Sequence, residues 1–278
     1  MSTTWTFTVP TLDQIHQASN NSNLPEFSTQ SSITSSNFNI ISKPRSGDWL
    51  YSHEELGQSI TSFLEKKINR PTKEKDKLYF LPLGDYRMEE TEKFLGLLRE
   101  YSEIFFNLPI VFQEHQKEIN FEVTSRINEN THLNQLLTKD IMKHLKKTFP
   151  SDAFCYTAIT NEDLYPDPSW NFVFGQGFIF INPYLFSFHF LFLNLSSIAS
   201  LTSRVGVYSF SRYTWLNDDE STFNQMLLRS LKVMTHEVCH QFGMHHCIYY
   251  NCLLNGSNHL GIFSYFLFLI SYFLFSFH

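Results

Sequence analysis

Eleven consecutive residues, from His236 to His246, carry the pattern HExxHxxGxxH. Residues four apart on a helix lie one turn apart on the same face, so His236 and His240 can hold one metal ion between them. Glu237 stands beside the first of these ligands, where its carboxylate can take a proton from a water held by the metal. The residue types and their spacing therefore predict the active site of a zinc-dependent hydrolase.

The second half of the motif predicts how a third ligand arrives. Gly243 can adopt the left-handed conformation that ends a helix and lets the chain turn back. His246 can then supply a third nitrogen, which leaves the fourth position of a tetrahedral zinc site open for water. His245 is the competing third ligand, because its offset from Gly243 differs by only one residue.

The residues after the motif indicate a family. Cys247 follows the motif directly, and Cys252 comes after four further residues, with Leu253 and Leu254 behind it. This arrangement resembles the archaemetzincins, in which the motif is followed at once by Cys, then four residues, Cys, one residue and Met. The resemblance covers residues 42–176 and 199–260, and its upstream matches are residues 127–132, 152–155, 163–166 and 170–176.

The resemblance implies a zinc metallopeptidase of the metzincin type, which hydrolyses peptide bonds. It implies His236, His240 and His246 as ligands of the catalytic zinc and Glu237 as the general base. Small peptides, cut in an aminopeptidase-type reaction, are the substrates that the resemblance suggests. It also implies an edge strand above the site that pairs with extended substrate, and residues 205–212 are the candidate by their order along the chain.

Two departures from the family pattern change the expectation for the C-terminal part. Leu254 stands where the family has the methionine of the Met-turn, and the similar volumes suggest a packing cost below about 1.5 kcal/mol. No CxxC follows Cys252 in the sequence, so Cys247 and Cys252 are half of the structural zinc site that the family completes with two more thiolates. We therefore expect one catalytic zinc, an incomplete second site, and a C-terminal subdomain that is largely missing. The alternative hypothesis is a catalytically impaired product, or a membrane-tethered protein with a vestigial metal site.

Charge and cysteine content restrict the partners and the compartment. The formal net charge of −6 at pH 7 gives no basic field, so nucleic acid is not expected as a partner. The first residues lack a charged region followed by an apolar run, so we expect no secretory signal and a cytoplasmic or nuclear protein. Four cysteines without a disulfide-rich spacing suit such a reducing compartment, and Cys155 and Cys239 are expected to be core residues. The sequence leaves the peptide substrate and the oligomeric state open.

Two uncharged segments, residues 177–198 and 261–278, both contain the pentapeptide LFSFH. The first interpretation is membrane insertion, with the second segment as an apolar anchor. The second is that both are grafts on an otherwise ordinary domain, and the third is that they are genuine core elements. We favour the grafts, because deletion of residues 177–198 joins Gly175-Gln176 to Ala199 as the resemblance would have it.

Strands and helices that alternate along the chain predict a mixed α/β, metzincin-like domain over residues 46–260, after a disordered segment over residues 1–45. Apolar runs predict strands at residues 78–83, 110–112, 121–124, 154–159, 171–174 and 205–210. Helical spacing predicts helices at residues 89–106 and 131–147, and a third from residue 218 into the motif. The predicted core side of the third helix comprises Phe223, Leu227, Leu231, Met234 and Val238.

Overall fold

The structure is a computed structural model, and it describes residues 6–19, 39–65, 70–86, 88–176, 204–213 and 220–257. The described residues fall into two compact units. One is drawn from Met1–Asn69 and Gly243–Leu269, and the other contains Arg70–Phe242.

The unit from Arg70 to Phe242 is built on two sheets. The larger sheet has the order β2 (Ile110–Phe112), β1 (Lys77–Leu83), β5 (Ala153–Thr160), β8 (Val205–Ser209) and β7 (Gly175–Gln176). Its pairs are parallel except for β7, which runs antiparallel to β8. The smaller sheet has the order β3 (Ser125–Ile127), β4 (Asn134–Leu137) and β6 (Asp163–Tyr165). With its helices, this arrangement confirms the predicted mixed α/β class.

Strand β5 shows why the sheet forms where it does. All eight of its residues are buried, as expected of a strand in the interior of a parallel sheet. Alternate residues face opposite sides. Tyr156 and Ala158 belong to the apolar cluster that contains Ile141 and Leu145 of the helix Thr138–Lys147, whereas Thr157 accepts a hydrogen bond from Gln241 at the end of the helix Glu220–Gln241. These two helices therefore pack on opposite faces of the sheet.

The helix Glu220–Gln241, named the motif helix from here on, packs against the helix Thr91–Phe106. The hydroxyl of Ser102 lies 3.4 Å from the sulfur of Met234, and both side chains are buried. Phe242, directly after the motif helix, stacks on Phe106 and lies with its ring centroid 4.5 Å from that of Phe154. This packing fixes the C-terminal end of the motif helix within the unit.

The other unit combines the N-terminal residues with the turn that follows the motif. Within its described residues, helices lie at Leu12–Ser19, Trp49–Ser52 and Ile60–Glu65. Residues 39–41 pair antiparallel with residues 249–251, through an Ile40–Tyr250 bridge and backbone hydrogen bonds on either side of it. A chain segment far upstream thus holds the turn after the motif in place.

Most predicted elements are confirmed, with different bounds for several. The strand predicted at residues 121–124 is wrong, because the strand lies at Ser125–Ile127. The helix predicted over residues 131–147 begins at Thr138, since residues 134–137 form strand β4. The strand predicted at residues 171–174 is replaced by the two residues of β7. Within the segment predicted to be disordered, the structure describes the helix Leu12–Ser19.

The motif helix differs from its prediction in the residues that form its core side. Its start is at Glu220, and the predicted core residues Met234 and Val238 are buried. Phe223, Leu227 and Leu231 are only half-buried, and Met226 and Val233 are buried instead. The buried side is therefore rotated relative to the prediction over the first turns.

The predicted uncharged segments, residues 177–198 and 261–278, lie outside the described residues, so the three interpretations of them stay predictions. Among the helices within the described ranges, none combines the length and the apolar character needed to cross a bilayer.

Candidate metal centre

The first two predicted ligands project from one side of the motif helix. The Nε2 atoms of His236 and His240 lie 2.9 Å apart, and both side chains are buried, at 7% and 3% exposure. Zinc–nitrogen bonds of about 2.0–2.1 Å place two nitrogens of a tetrahedral site about 3.3 Å apart. The helix thus brings two imidazole nitrogens close to the separation that a shared zinc ion requires.

The turn after the helix has the conformation that the sequence predicts. The motif helix ends at Gln241, and Gly243 has a φ of 88°, in the left-handed region. Gln58 holds this turn from both sides: its Nε2 donates to the carbonyl of Gly243 at 3.0 Å, and its Oε1 accepts from the backbone N–H of His245 at 3.1 Å. The chain direction after Gly243 therefore depends on a side chain far upstream.

His246 joins the two helical histidines. One potential ligand atom from each of His236, His240 and His246 lies within 4.8 Å of the others. In the described part of the chain, this is the group of three metal-binding side chains that the structure assembles, and it contains His246 rather than the competing His245. Three imidazoles in a buried setting are a donor set that suits zinc.

Glu237, the predicted general base, lies against strand β7, which is at one edge of the larger sheet in the described residues. A Cβ atom built on Gly175 of β7 would lie 2.7 Å from the Cδ atom of Glu237. Only a residue without a side chain leaves room for that carboxylate. Tyr213 is also close: burial first, and then the negative charge of Glu237, raise the pKa of its phenol.

The motif helix is anchored to the sheet by its last residue. The side-chain amide of Gln241 donates to Thr157 Oγ1 at 2.6 Å, and both residues are buried. Because His240 directly precedes Gln241, this bond fixes the rotation of the last helical turn about the helix axis.

The two predicted thiolate ligands lie in a compact turn over residues 247–255. A hydrogen bond between the two thiols lowers the pKa of Cys247 to about 7, against the opposing effect of burial. Asn255 closes the turn: its side-chain N–H groups donate to the carbonyls of Cys247 and Tyr250, both at 2.8 Å, and its Oδ1 accepts from the N–H of Cys252 at 2.7 Å. Leu254, at the position of the Met-turn, accepts the backbone hydrogen bond of Cys247.

Within the described residues, Cys247 and Cys252 are not joined by further metal-binding side chains into a group of three. The number of zinc ions, expected to be one with an incomplete second site, stays a prediction. Cys155 and Cys239 are fully buried, as predicted for core residues, and burial raises the pKa of the Cys155 thiol to about 12.

A buried polar network fixes the loop that leads into β7. Arg212 forms a bidentate ion pair with Asp163, at 2.8 and 2.9 Å, and Gln135 donates to the same carboxylate. Gln135 and Arg126 also donate to the carbonyl of Asn171. These bonds hold the residues before Gly175, and through them the strand that lies against Glu237.

Several residues that support the predicted ligands and the predicted base were not identified from the sequence. Gly175 left a signal, because an isolated glycine at the end of an apolar run often marks a close approach of the backbone. No sequence signal marks Glu55 or Gln58, because their hydrogen-bond partners lie 191 and 185–187 residues away along the chain. The residues missed are Trp49, Glu55, Gln58, Gly175, Gln241 and Asn255.

Comparison with known proteins gives clear relatives. No protein-family model matches the chain. It is 34% identical over 254 residues to archaemetzincin-2 of Rattus norvegicus, and 33% identical over 253 residues to archaemetzincin-2 of Homo sapiens. Each alignment covers 80% of this chain and 64% of the relative, so the chain spans less than two thirds of the length of these proteins.

Among solved structures, an archaemetzincin from Methanopyrus kandleri is similar, with a TM-score of 0.47 and 22% sequence identity. The match covers 69% of this chain and 87% of that one.

Proposed function

We propose, from the premise that this chain is a homologue of the archaemetzincins, that it is a zinc-dependent peptidase. The observation that carries the proposal is the group of His236, His240 and His246, whose potential ligand atoms lie within 4.8 Å of one another. The HExxHxxGxxH spacing and the identity to archaemetzincin-2 also support it.

The three histidines would hold one zinc ion. When bound, zinc supplies a Lewis acid that polarises a carbonyl oxygen and lowers the pKa of a coordinated water. The protein contributes the buried positions of His236 and His240 and the turn that presents His246. Three protein ligands leave one tetrahedral position open, which is the arrangement of catalytic rather than structural zinc sites.

Glu237 would act as the general base. Its carboxylate would accept a proton from the attacking water and pass it to the amine that leaves, a contribution worth roughly 100- to 10,000-fold in rate. The close approach of Gly175 limits the positions that this carboxylate can take.

The prediction that residues 205–212 form the edge strand beside the site is wrong. Strand β8, Val205–Ser209, lies inside the sheet, between β5 and β7. The outermost described strand on this side is β7, Gly175–Gln176. An extended peptide could add to it through backbone hydrogen bonds. Because Gly175 lies against Glu237, a peptide there would pass the proposed base.

The test has two parts, made on the full chain. Zinc per chain is measured on the purified protein beside a His240→Ala control. We expect about one zinc that the control loses, and no zinc above the control would refute the proposal. Peptide hydrolysis is then compared between wild type and Glu237→Gln, which keeps the size of the side chain and removes the base. We expect zinc to be retained and turnover to fall about 100- to 10,000-fold.

Zinc binding without peptide hydrolysis by the wild type would favour the catalytically impaired alternative. The finer proposal, aminopeptidase-type cleavage of small peptides, is supported by the resemblance to archaemetzincins alone. A peptide with a free amino terminus, compared with its N-acetylated form, tests it: equal rates of cleavage would exclude an aminopeptidase.

A further inference from the structure

The third histidine has a partner that the motif does not contain. His246 Nδ1 lies 2.7 Å from Oε1 of Glu55, a residue 191 positions earlier in the chain. Both side chains are largely buried, with 10% and 21% of their surface exposed. The pair is therefore shielded from competition by water.

Glu55 is itself held by a second donor. The indole N–H of Trp49 donates to the same Oε1 atom at 2.7 Å. The Trp49 ring stacks on His53 with a centroid distance of 3.7 Å, and it meets the His246 ring edge-on at 5.5 Å. Trp49 thus contacts both the carboxylate and the imidazole.

The roles of the two partners follow from the geometry of their contact. Oε1 of Glu55 accepts the indole N–H of Trp49 and lies 2.7 Å from Nδ1 of His246. A carboxylate oxygen accepts hydrogen bonds and does not donate them, so His246 donates through Nδ1. Its Nε2 atom is then the ring nitrogen left to bind a metal ion.

The third histidine needs such a constraint more than the other two. His236 and His240 are fixed by the backbone of one helix, whereas His246 follows a turn and belongs to no helix or strand. Carboxylates that accept the second N–H of a metal-binding histidine fix its tautomer and ring orientation.

We propose that Glu55 is a positioning residue, which orients His246 and presents its Nε2 atom to the metal, and that Trp49 holds Glu55 for this task. The inference rests on the proposed function, because His246 is a ligand only if the three histidines bind zinc.

The affinity for zinc tests the inference without an activity assay. Zinc Kd is measured by competition with a chromogenic chelator for wild type, Glu55→Gln, Glu55→Ala and Trp49→Phe. Loss of an outer-shell partner of this kind typically weakens metal binding 10- to 100-fold. We expect a change of that size for Glu55→Ala. Glu55→Gln keeps a hydrogen-bond acceptor, so its affinity for zinc should fall less than that of Glu55→Ala. The affinity of Trp49→Phe should fall least. Glu54→Ala, at the exposed neighbouring glutamate, is the matched control and should bind like wild type.

A second measurement separates positioning from a merely structural role. Nitrogen-15 NMR of the histidine side chains in zinc-free protein reports which ring nitrogen is protonated. We expect His246 to be protonated at Nδ1 in wild type and in Glu54→Ala, and to lose this preference in Glu55→Ala while the other histidine signals stay unchanged. A general loss of structure would change them all.

The outcomes for the two proposals are distinguishable. A wild type that binds no zinc would overturn the proposed function, and this inference with it. A wild type that binds one zinc, with the same Kd and the same His246 tautomer in Glu55→Ala, would overturn the inference alone.

Discussion

The two helical histidines and the third histidine are held by different kinds of interaction. His236 and His240 lie on one helix whose end packs into an aromatic core through Phe242. His246 lies in a turn whose conformation depends on side-chain hydrogen bonds, to Gln58 at its start and to Glu55 at the imidazole. Backbone geometry and apolar burial position the first pair, whereas individual polar contacts position the third residue.

This difference indicates where each part of the site is vulnerable. Apolar burial contributes many small contacts, so the helix should respond only to large changes in its core. Each polar contact in the turn is a single bond whose loss leaves a partner unsatisfied. Variants in the two regions should therefore change different properties: global stability for the helix, and local order or zinc affinity for the turn.

The largest effect is expected for Phe242→Ala. This side chain is 3% exposed and contacts Phe106 and Phe154, so its truncation leaves a cavity. Loss of a buried phenylalanine typically costs about 3–5 kcal/mol. Urea unfolding of the zinc-free protein measures this loss in the free energy of unfolding. Ile104→Ala is the control, because Ile104 is 75% exposed and its loss should change the free energy of unfolding by less than about 0.5 kcal/mol. Equal effects in both variants would contradict the role given to the aromatic core.

The second-largest effect is expected for Gly175→Ala, because Gly175 of strand β7 lies against the side chain of Glu237. In Gly175→Ala the new methyl group would lie 2.7 Å from Cδ of Glu237, so the carboxylate or the strand must move. A displacement of about 1 Å at a catalytic group can cost about 100-fold in rate. We expect peptide hydrolysis to fall by that order while the zinc content stays at the wild-type value.

Gly96→Ala provides the matched control for this substitution. Gly96 lies within the helix Thr91–Phe106, and a Cβ built on it meets no atom within 4 Å. Alanine in a helix is favoured over glycine by about 0.5–1 kcal/mol, so this variant should be slightly more stable and fully active. Unchanged hydrolysis in Gly175→Ala would show that Glu237 does not depend on β7.

The same difference explains which features the sequence could predict. The motif helix, its end at Gly243 and the strands β1 and β5 follow from local spacing and from apolar runs, and all are confirmed. The helix predicted from Thr131 failed for a local reason of another kind. Residues 128–133 form the turn of the β3–β4 hairpin, and His132 has a φ of 56°, which a right-handed helix does not accommodate.

The supporting residues of the site could not be predicted, because their partners are distant in sequence. Glu55 is one of two adjacent glutamates after a short helix, and nothing in its neighbourhood distinguishes it from the exposed Glu54. Its role depends on the fold bringing it to His246. The edge strand was misassigned for a similar reason: the order of strands in a sheet is not their order in sequence, and β7 pairs outside β8.

The smallest effect is expected for Asn255→Ala, in the turn that follows the third histidine. The variant removes three hydrogen bonds and leaves the backbone N–H of Cys252 without the Oδ1 acceptor. An unsatisfied buried group costs about 1–3 kcal/mol, and the cost should appear as easier local opening of the turn. Hydrogen exchange is expected to become faster for the amides of residues 247–252 and to stay unchanged in the motif helix. Asn251→Ala is the matched control, because the bond that Asn251 donates to Asn39 comes from its backbone N–H, which alanine retains. If exchange in the turn stayed slow in Asn255→Ala, packing rather than single polar contacts would hold this region too, and the contrast between the helix and the turn would fail.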